Sequence, residues 1–154
     1  MEKLNLETVR LNIQLTKRCN QRCKSCNSYH IDDTIKELSV EEVERFINEA
    51  CLIFPIKNIA FTGGEPTLYK DILSVAKIAS KKSPFVSITT NGIYCTSKER
   101  VNELLDAGIN RFSFSYHGIG IHDKFCGVNG SEERIRRAID WLVEEREKGK
   151  EIYM

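Results

Sequence analysis

The sequence lacks the features that would send a chain into a membrane, onto nucleic acid or out of the cell. No apolar run approaches the roughly 18 residues of a membrane span, and the opening Met1-Glu2-Lys3-Leu4-Asn5 has no apolar stretch of an export signal. Charge of one sign is also missing. Lys and Arg number 23 against 22 Asp and Glu, a net charge of +1, and the basic residues are scattered among acids. That balance gives no electrostatic case for nucleic acid or an anionic membrane surface. There is no low-complexity tract and no linker, so the 154 residues, 41% hydrophobic and 29% charged, read as one cytoplasmic domain, 1–154.

What is present is unevenly placed. Three of the six cysteines, Cys19, Cys23 and Cys26, crowd together, while Cys51, Cys95 and Cys126 stand alone. Without an export signal, a local cluster of cysteines points to a metal or cofactor site and away from a disulfide framework. Cys51 falls on an apolar helical stripe and is expected in the core. Cys95 and Cys126 fall in loops with no role assigned.

Strand and helix signals alternate along the chain. Val9, Leu11, Ile13 and Leu15 alternate with Arg10, Asn12 and Gln14, the period of a strand. Ser39 with Glu42 reads as a capping box ahead of a stripe of Val43, Phe46, Ile47, Ala50, Cys51 and Phe54 that Pro55 ends. A strand over 57–62 precedes a helix over 69–82, and a strand over 85–90 precedes a helix that Thr96 caps and Gly108 closes. A strand over 110–116 precedes a last helix capped by Ser131, with Glu132 and Glu133 in its first turn. Residues 151–154 look like the start of a fifth strand, which suggests a piece of a longer polypeptide. Repeats of this length imply parallel strands joined by right-handed crossovers, in a barrel segment or an open doubly wound sheet.

In such folds functional groups gather where strands end and loops begin. The first strand is followed by Cys19-Asn20-Gln21-Arg22-Cys23-Lys24-Ser25-Cys26, the second by Gly63-Gly64-Glu65-Pro66, and the third by Thr90-Asn91-Gly92. The fourth carries Ser113, Ser115 and His117 on one alternating face. Three thiolates at C-x3-C-x2-C spacing can ligate three irons of a cluster and leave the fourth open to a reactant. Structural zinc, with His30 as fourth ligand, is the rival occupant of the same spacing. Gly63 and Gly64 permit close backbone approach, and Glu65 sets a carboxylate beside them, a site suited to the ends of an amino acid. Asn12, Gln14, Asn58 and Thr62 lie on the polar face of their strands, which in a barrel lines the cavity.

Cys19, Cys23 and Cys26 with Gly63-Gly64-Glu65-Pro66 resemble the radical S-adenosylmethionine (SAM) superfamily. Thr90-Asn91-Gly92, Ser115-Tyr116-His117-Gly118, Ile121-His122-Asp123-Lys124 and Gly127-Val128-Asn129-Gly130-Ser131 are similar to its SPASM and molybdenum-cofactor-synthesis branch. The resemblance covers essentially the whole chain and implies an α/β fold, a partial TIM-like (β/α) barrel truncated after about four β/α units. It implies a [4Fe–4S] cluster on Cys19, Cys23 and Cys26, with SAM chelating the open iron. Gly63, Gly64 and Glu65 would hold the methionyl amine, Ser115 the ribose or carboxylate, and Asn91 and the backbone of Ser25 other parts of SAM. The family has an aromatic at Ser25; Tyr29 is placed to substitute. Cys126 stands where that branch has arginine, so the role of that arginine is not carried over. His117 is placed to touch SAM or substrate, and His122 to anchor its loop.

The implied reaction is reductive cleavage of SAM to a 5′-deoxyadenosyl radical that abstracts hydrogen from a substrate, with the branch tilting toward a peptide or protein. A small-molecule substrate remains open, and an electron donor such as flavodoxin or ferredoxin is implied. Two rivals stand beside this reading: a zinc-stabilised binding module without activity, and a radical SAM fragment that binds the cluster but does not turn over.

Overall fold

The computed structural model describes residues 8–26 and 36–154. Four strands, β1 (Val9–Thr16), β2 (Ile56–Gly63), β3 (Phe85–Thr90) and β4 (Arg111–Phe114), form one parallel sheet in the order β1-β2-β3-β4. The helices are α1 (Val40–Ile53), α2 (Ile72–Ser80), α3 (Lys98–Asp106), α4 (His122–Cys126) and α5 (Ser131–Glu147). A doubly wound sheet reverses its strand order at a switch point, where ligands bind. Here each strand adds to the same edge, and right-handed crossovers then put every helix on one face. The sheet is a segment of barrel wall.

The period of two splits the strands between the two faces. Ile13, Leu15, Ile59, Phe61, Val86, Ile88 and Phe112 are buried in the core with Val43 and Ile47 of α1, Val75 and Ala76 of α2, Val101 and Leu104 of α3, and Ala138 and Leu142 of α5. Burial of each large aliphatic side chain stabilises the fold by about 1.5–3 kcal/mol. The other face keeps its polar residues. Asn12, Gln14 and Ser113 are exposed, and Asn58, Thr62 and Thr89 half-buried. Ser87 Oγ donates to Asn58 Oδ1 at 2.7 Å across that face. Near its floor Arg111 sits over the rings of Phe85 and Tyr153, 3.7 and 4.9 Å from their centroids.

Several boundaries differ from the sequence reading, each for a local reason. The capping box of α1 forms as expected, with Ser39 Oγ accepting from Glu42 N and Glu42 Oε2 from Ser39 N. Its stripe is narrower, because Phe46 and Phe54 are exposed and Cys51 is half-buried against the core. The second helix starts at Ile72, after a 3₁₀ turn over Pro66–Leu68, since Tyr69 is drawn aside to donate its hydroxyl to Leu38 O at 2.8 Å. Ser97, not Thr96, caps α3 by accepting from Arg100 N.

The start of α5 is the larger correction. Gly130 is its cap residue, in the left-handed region at φ 75°, and Ser131 is already inside the helix. The acceptor comes from α4: Asp123 takes Glu132 N on Oδ1 at 2.7 Å and Gly130 N on Oδ2 at 2.6 Å. Those bonds hold the Asp123 carboxyl below the usual carboxylate range. The Ser131 hydroxyl is thereby left for other partners. Residues 151–154 make a single parallel bridge, Arg111 to Tyr153, on the free edge of β4. Among the described residues no helix is long and apolar enough to cross a membrane.

Candidate active site

Backbone hydrogen bonds join the first two strand ends. Gly64 N donates to Thr16 O at 2.9 Å and Glu65 N to Arg18 O at 2.8 Å. A Cβ on Gly63 would stand 2.2 Å from Thr16 O, and one on Gly64 2.2 Å from Arg18 O. Gly63 also has a φ of 139°, which L side chains rarely adopt. Two glycines are therefore required for the cysteine loop to leave β1 against the end of β2.

Glu65 ties in the third strand. Its side chain is 1% exposed. Oε1 accepts from Thr67 N at 3.2 Å, Thr67 Oγ1 at 2.6 Å and Thr90 Oγ1 at 2.7 Å, and Oε2 accepts from Asn91 N at 2.7 Å. A carboxylate has about four acceptor sites, so protein donors nearly saturate this one. The sequence reading gave the carboxylate to the methionyl ammonium; in the structure it also clamps the end of β2 to the end of β3, with three donors on Oε1 and one on Oε2. Ser115 N completes the rim by donating to Thr90 O at 2.9 Å.

The cysteine loop rests on α4, an element too short to show a period in the sequence. Arg22 N donates to Cys126 O at 3.1 Å and Lys24 N to Phe125 O at 3.2 Å, while Cys26 N closes a turn onto Cys23 O at 3.1 Å. Cys19, Cys23 and Cys26 are free thiols, half-buried, half-buried and exposed. Burial pushes the Cys19 and Cys23 thiols above their ordinary value, and neighbouring cysteines add to the shift.

All the residues assigned from the sequence to metal or cofactor line one pocket of about 220 Å³: the three cysteines, Ser25, Gly63, Gly64, Glu65, Asn91 and Ser115. Gln21, Thr89 and His117 line it with them. Thr89 was reachable from the sequence, being on the inward face of β3. Gln21 was not, since nothing separates it there from a solvated loop residue, yet it is buried. Asn91 Nδ2 donates to Asn20 Oδ1 at 2.8 Å and its Oδ1 accepts from Ile93 N, which fixes its amide at the pocket edge. Tyr29 and His30 lie outside the described residues.

Beside the pocket His122 is fully buried and acts as the anchor expected of it. His117 N donates to His122 Nδ1 at 3.4 Å, so His122 Nε2 carries the proton, and it lies 3.1 Å from Ser131 Oγ. Burial first, and His117 second, hold its pKa below the ordinary value. His117 stacks on Phe125, with ring centroids 3.9 Å apart. Ligand atoms of His122, Asp123 and Cys126 fall within 4.8 Å of one another. Each already has work, however: Asp123 caps α5, His122 is bonded at both nitrogens, and Cys126 Sγ donates to backbone carbonyls.

The donor set turned to the pocket suits an iron–sulfur cluster. Its three sulfurs come from one loop, and the single carboxylate within reach is taken by protein donors. A barrel wall with such a rim belongs to the β/α proteins whose functional sites lie at the C-terminal ends of their strands. The Radical SAM superfamily profile matches residues 13–152, and the chain belongs to that superfamily. Its members bind a [4Fe–4S] cluster and SAM, which are the cofactors of this chain.

The chain is 36% identical over 138 residues to a probable GTP 3′,8-cyclase of Thermococcus kodakarensis, covering 86% of this chain and 44% of that protein. It is 30% identical over 135 residues to the PqqA peptide cyclase of Bradyrhizobium diazoefficiens, covering 86% of this chain and 35% of that one. It thus spans less than half the length of these relatives. The crystal structure of Streptococcus suis SuiB bound to precursor peptide SuiA superposes with a TM-score of 0.72 at 22% identity, over 93% of this chain and 31% of SuiB. That likeness concerns the fold and bears out the partial TIM-like barrel.

Proposed function

We propose that Cys19, Cys23 and Cys26 ligate the [4Fe–4S] cluster and that SAM occupies the adjoining pocket. The observation that carries this reading is the convergence of three free thiols, the Gly63–Glu65 turn, Asn91 and Ser115 on one cavity at the strand ends. A cluster held there would supply one-electron reduction of SAM, the chemistry that yields methionine and a 5′-deoxyadenosyl radical able to take a hydrogen atom from substrate. A low-potential donor such as flavodoxin or ferredoxin supplies the electron. The protein's part is placement. With the Glu65 carboxylate engaged, contact with the methionyl end falls to the backbone of Gly63 and Gly64. Ser115 offers a hydroxyl to ribose or carboxylate, and the Ser25 segment covers the adenine side.

The substrate we infer is a peptide segment. Toward the pocket the uncovered strand face carries Gln14, Thr62, Thr89, Ser113 and Ser115, all neutral hydrogen-bonding side chains, while Arg10 and Arg111 lie at the far ends of their strands. Amides and hydroxyls suit a peptide backbone. A nucleoside triphosphate calls for cations near its phosphates, and none of these five side chains is one.

The test is anaerobic reconstitution of the chain with iron and sulfide, then SAM and dithionite. A brown protein that yields 5′-deoxyadenosine is expected, and GTP should neither bind nor stimulate the reaction. One zinc per chain in place of iron would overturn the cluster assignment. Saturable GTP binding would overturn the peptide reading alone.

A further inference from the structure

Gln21 is the one buried polar side chain of the cysteine loop, and it is bonded at both ends of its amide. Nε2 donates to Ser131 Oγ at 2.9 Å, and Oε1 accepts from the Cys23 thiol at 3.6 Å. Ser131 is itself fully buried and meets His122 Nε2 at 3.1 Å, and His122 Nδ1 accepts from His117 N. The chain therefore crosses from the loop after β4, through two helices, to a cysteine of the candidate centre. Its polar side chains reach 110 residues along the sequence, since Gln21 and Ser131 are that far apart.

The direction of this chain matters. A metal-bound cysteine sulfur is a thiolate and an acceptor only. With Cys23 ligated, the amide oxygen of Gln21 would face an electron-rich sulfur, whereas a half-turn of the amide puts Nε2 there instead. The partners allow that turn, because a serine hydroxyl can give or receive a hydrogen bond. After it, His117 N–H donates to His122 Nδ1, His122 Nε2–H to Ser131 Oγ, Ser131 O–H to Gln21 Oε1, and Gln21 N–H to the Cys23 sulfur. Every link then runs the same way, the arrangement in which successive hydrogen bonds polarise and strengthen one another.

We propose that Gln21 is a positioning residue of the metal centre: held by Ser131 and His122, it donates a hydrogen bond to the Cys23 sulfur and raises the reduction potential of the cluster. The inference rests on the assignment of Cys23 as a cluster ligand. Hydrogen bonds to ligand sulfurs are among the factors that set the potentials of iron–sulfur clusters. A donated proton favours the state with the extra electron, so removing the donor makes the cluster harder to reduce.

The readout is the midpoint potential of the reconstituted cluster in the whole chain, followed by visible absorbance and electron paramagnetic resonance, with iron and sulfide measured for each variant. In Gln21→Leu we expect metal content to hold while the reduced-to-oxidised ratio at a fixed potential falls about tenfold, about 59 mV for a one-electron couple. Gln21→Glu, of the same shape without the donor, should fall at least as far. Should the Gln21 variants not fold, Ser131→Thr and Ser131→Val decide the matter, since the two differ by little beyond the hydroxyl. Thr should keep the wild-type potential and Val should lower it. Intact clusters with unchanged potentials in these variants overturn the inference and leave the cluster assignment standing. Failure of the unmodified chain to take up iron and sulfide overturns both, and shows itself before any variant is compared.

Discussion

The two halves of the pocket are built on different terms. Around Gly63, Glu65 and Asn91 the protein completes its own bonding: two backbone bonds join β1 to β2, and four donors meet one buried carboxylate between β2 and β3. The cysteine loop touches the helices through Arg22 and Lys24 on α4 and Gln21 on α5, and the frame through Asn20 on Asn91, while Cys26 stands exposed. One half is rigid before any cofactor arrives. The other is shaped by what it binds, since ligation energy is also ordering energy for the segment that supplies the ligands. Cofactor placement in this chain thus depends on a fixed frame opposite an adaptable loop.

Replacing any one of Cys19, Cys23 or Cys26 by alanine should test that contrast most severely. Cluster absorbance and 5′-deoxyadenosine formation are expected to vanish, while circular dichroism and the melting temperature of the metal-free chain stay put. A drop in that melting temperature would show that the loop belongs to the frame.

Gly63→Ala attacks the frame itself. The new methyl would meet Thr16 O at 2.2 Å with an unfavourable φ. We expect at least about 3 kcal/mol of destabilisation and a large loss of cluster uptake, although no ligand is touched. Wild-type iron content after reconstitution of this variant would refute the joining role of the turn.

Glu65→Gln separates the clamp from a direct hold on SAM. The amide turns an N–H toward donors that a carboxylate accepted, which costs about 3 kcal/mol, or about 10 °C in melting temperature for a chain of this size. SAM affinity of the folded fraction should change little. A variant that melts like the wild type but binds SAM ten- to a hundred-fold more weakly would return the carboxylate to the cofactor (about 1.5–3 kcal/mol for a charge-assisted bond).

The smallest effect concerns pH. His122 is neutral and buried, and its pKa in the folded state lies below the ordinary 6.5. The unfolded chain therefore binds the extra proton first, and stability should hold above pH 6.5 and decline as pH falls toward the lowered value. Urea midpoints of the metal-free chain at pH 7.5 and 5.5 measure this. A His122→Asn variant should show a shallower decline, and an equal slope in both would assign the effect to other groups.

Much of the fold was legible because strands announce themselves by alternation; β3 spans 85–90 as the pattern indicates. Strand order was not, since a period of two says nothing about which edge the next strand takes. That left barrel wall and doubly wound sheet undivided until the family resemblance favoured the first. The cap of α5 was misread because Ser131 sits where a cap belongs, and the acceptor that replaces it lies eight residues upstream on a helix of five. The site was legible where chemistry forces residue type, as with the thiols and the two glycines. It was illegible at Gln21, whose contacts span 110 residues, and at Glu65, whose bonds to Thr67, Thr90 and Asn91 no spacing announces.

The joint between Thr16–Arg18 and Gly63–Glu65 has one more consequence, for redesign. It is made of main-chain atoms, so no change of side chain on the neighbouring strands rewrites it. Gln14, Thr62, Thr89 and Ser113 can be exchanged without moving the cysteine loop relative to the second strand. A library confined to those four positions would vary what the cavity recognises while every member inherits the same main-chain joint.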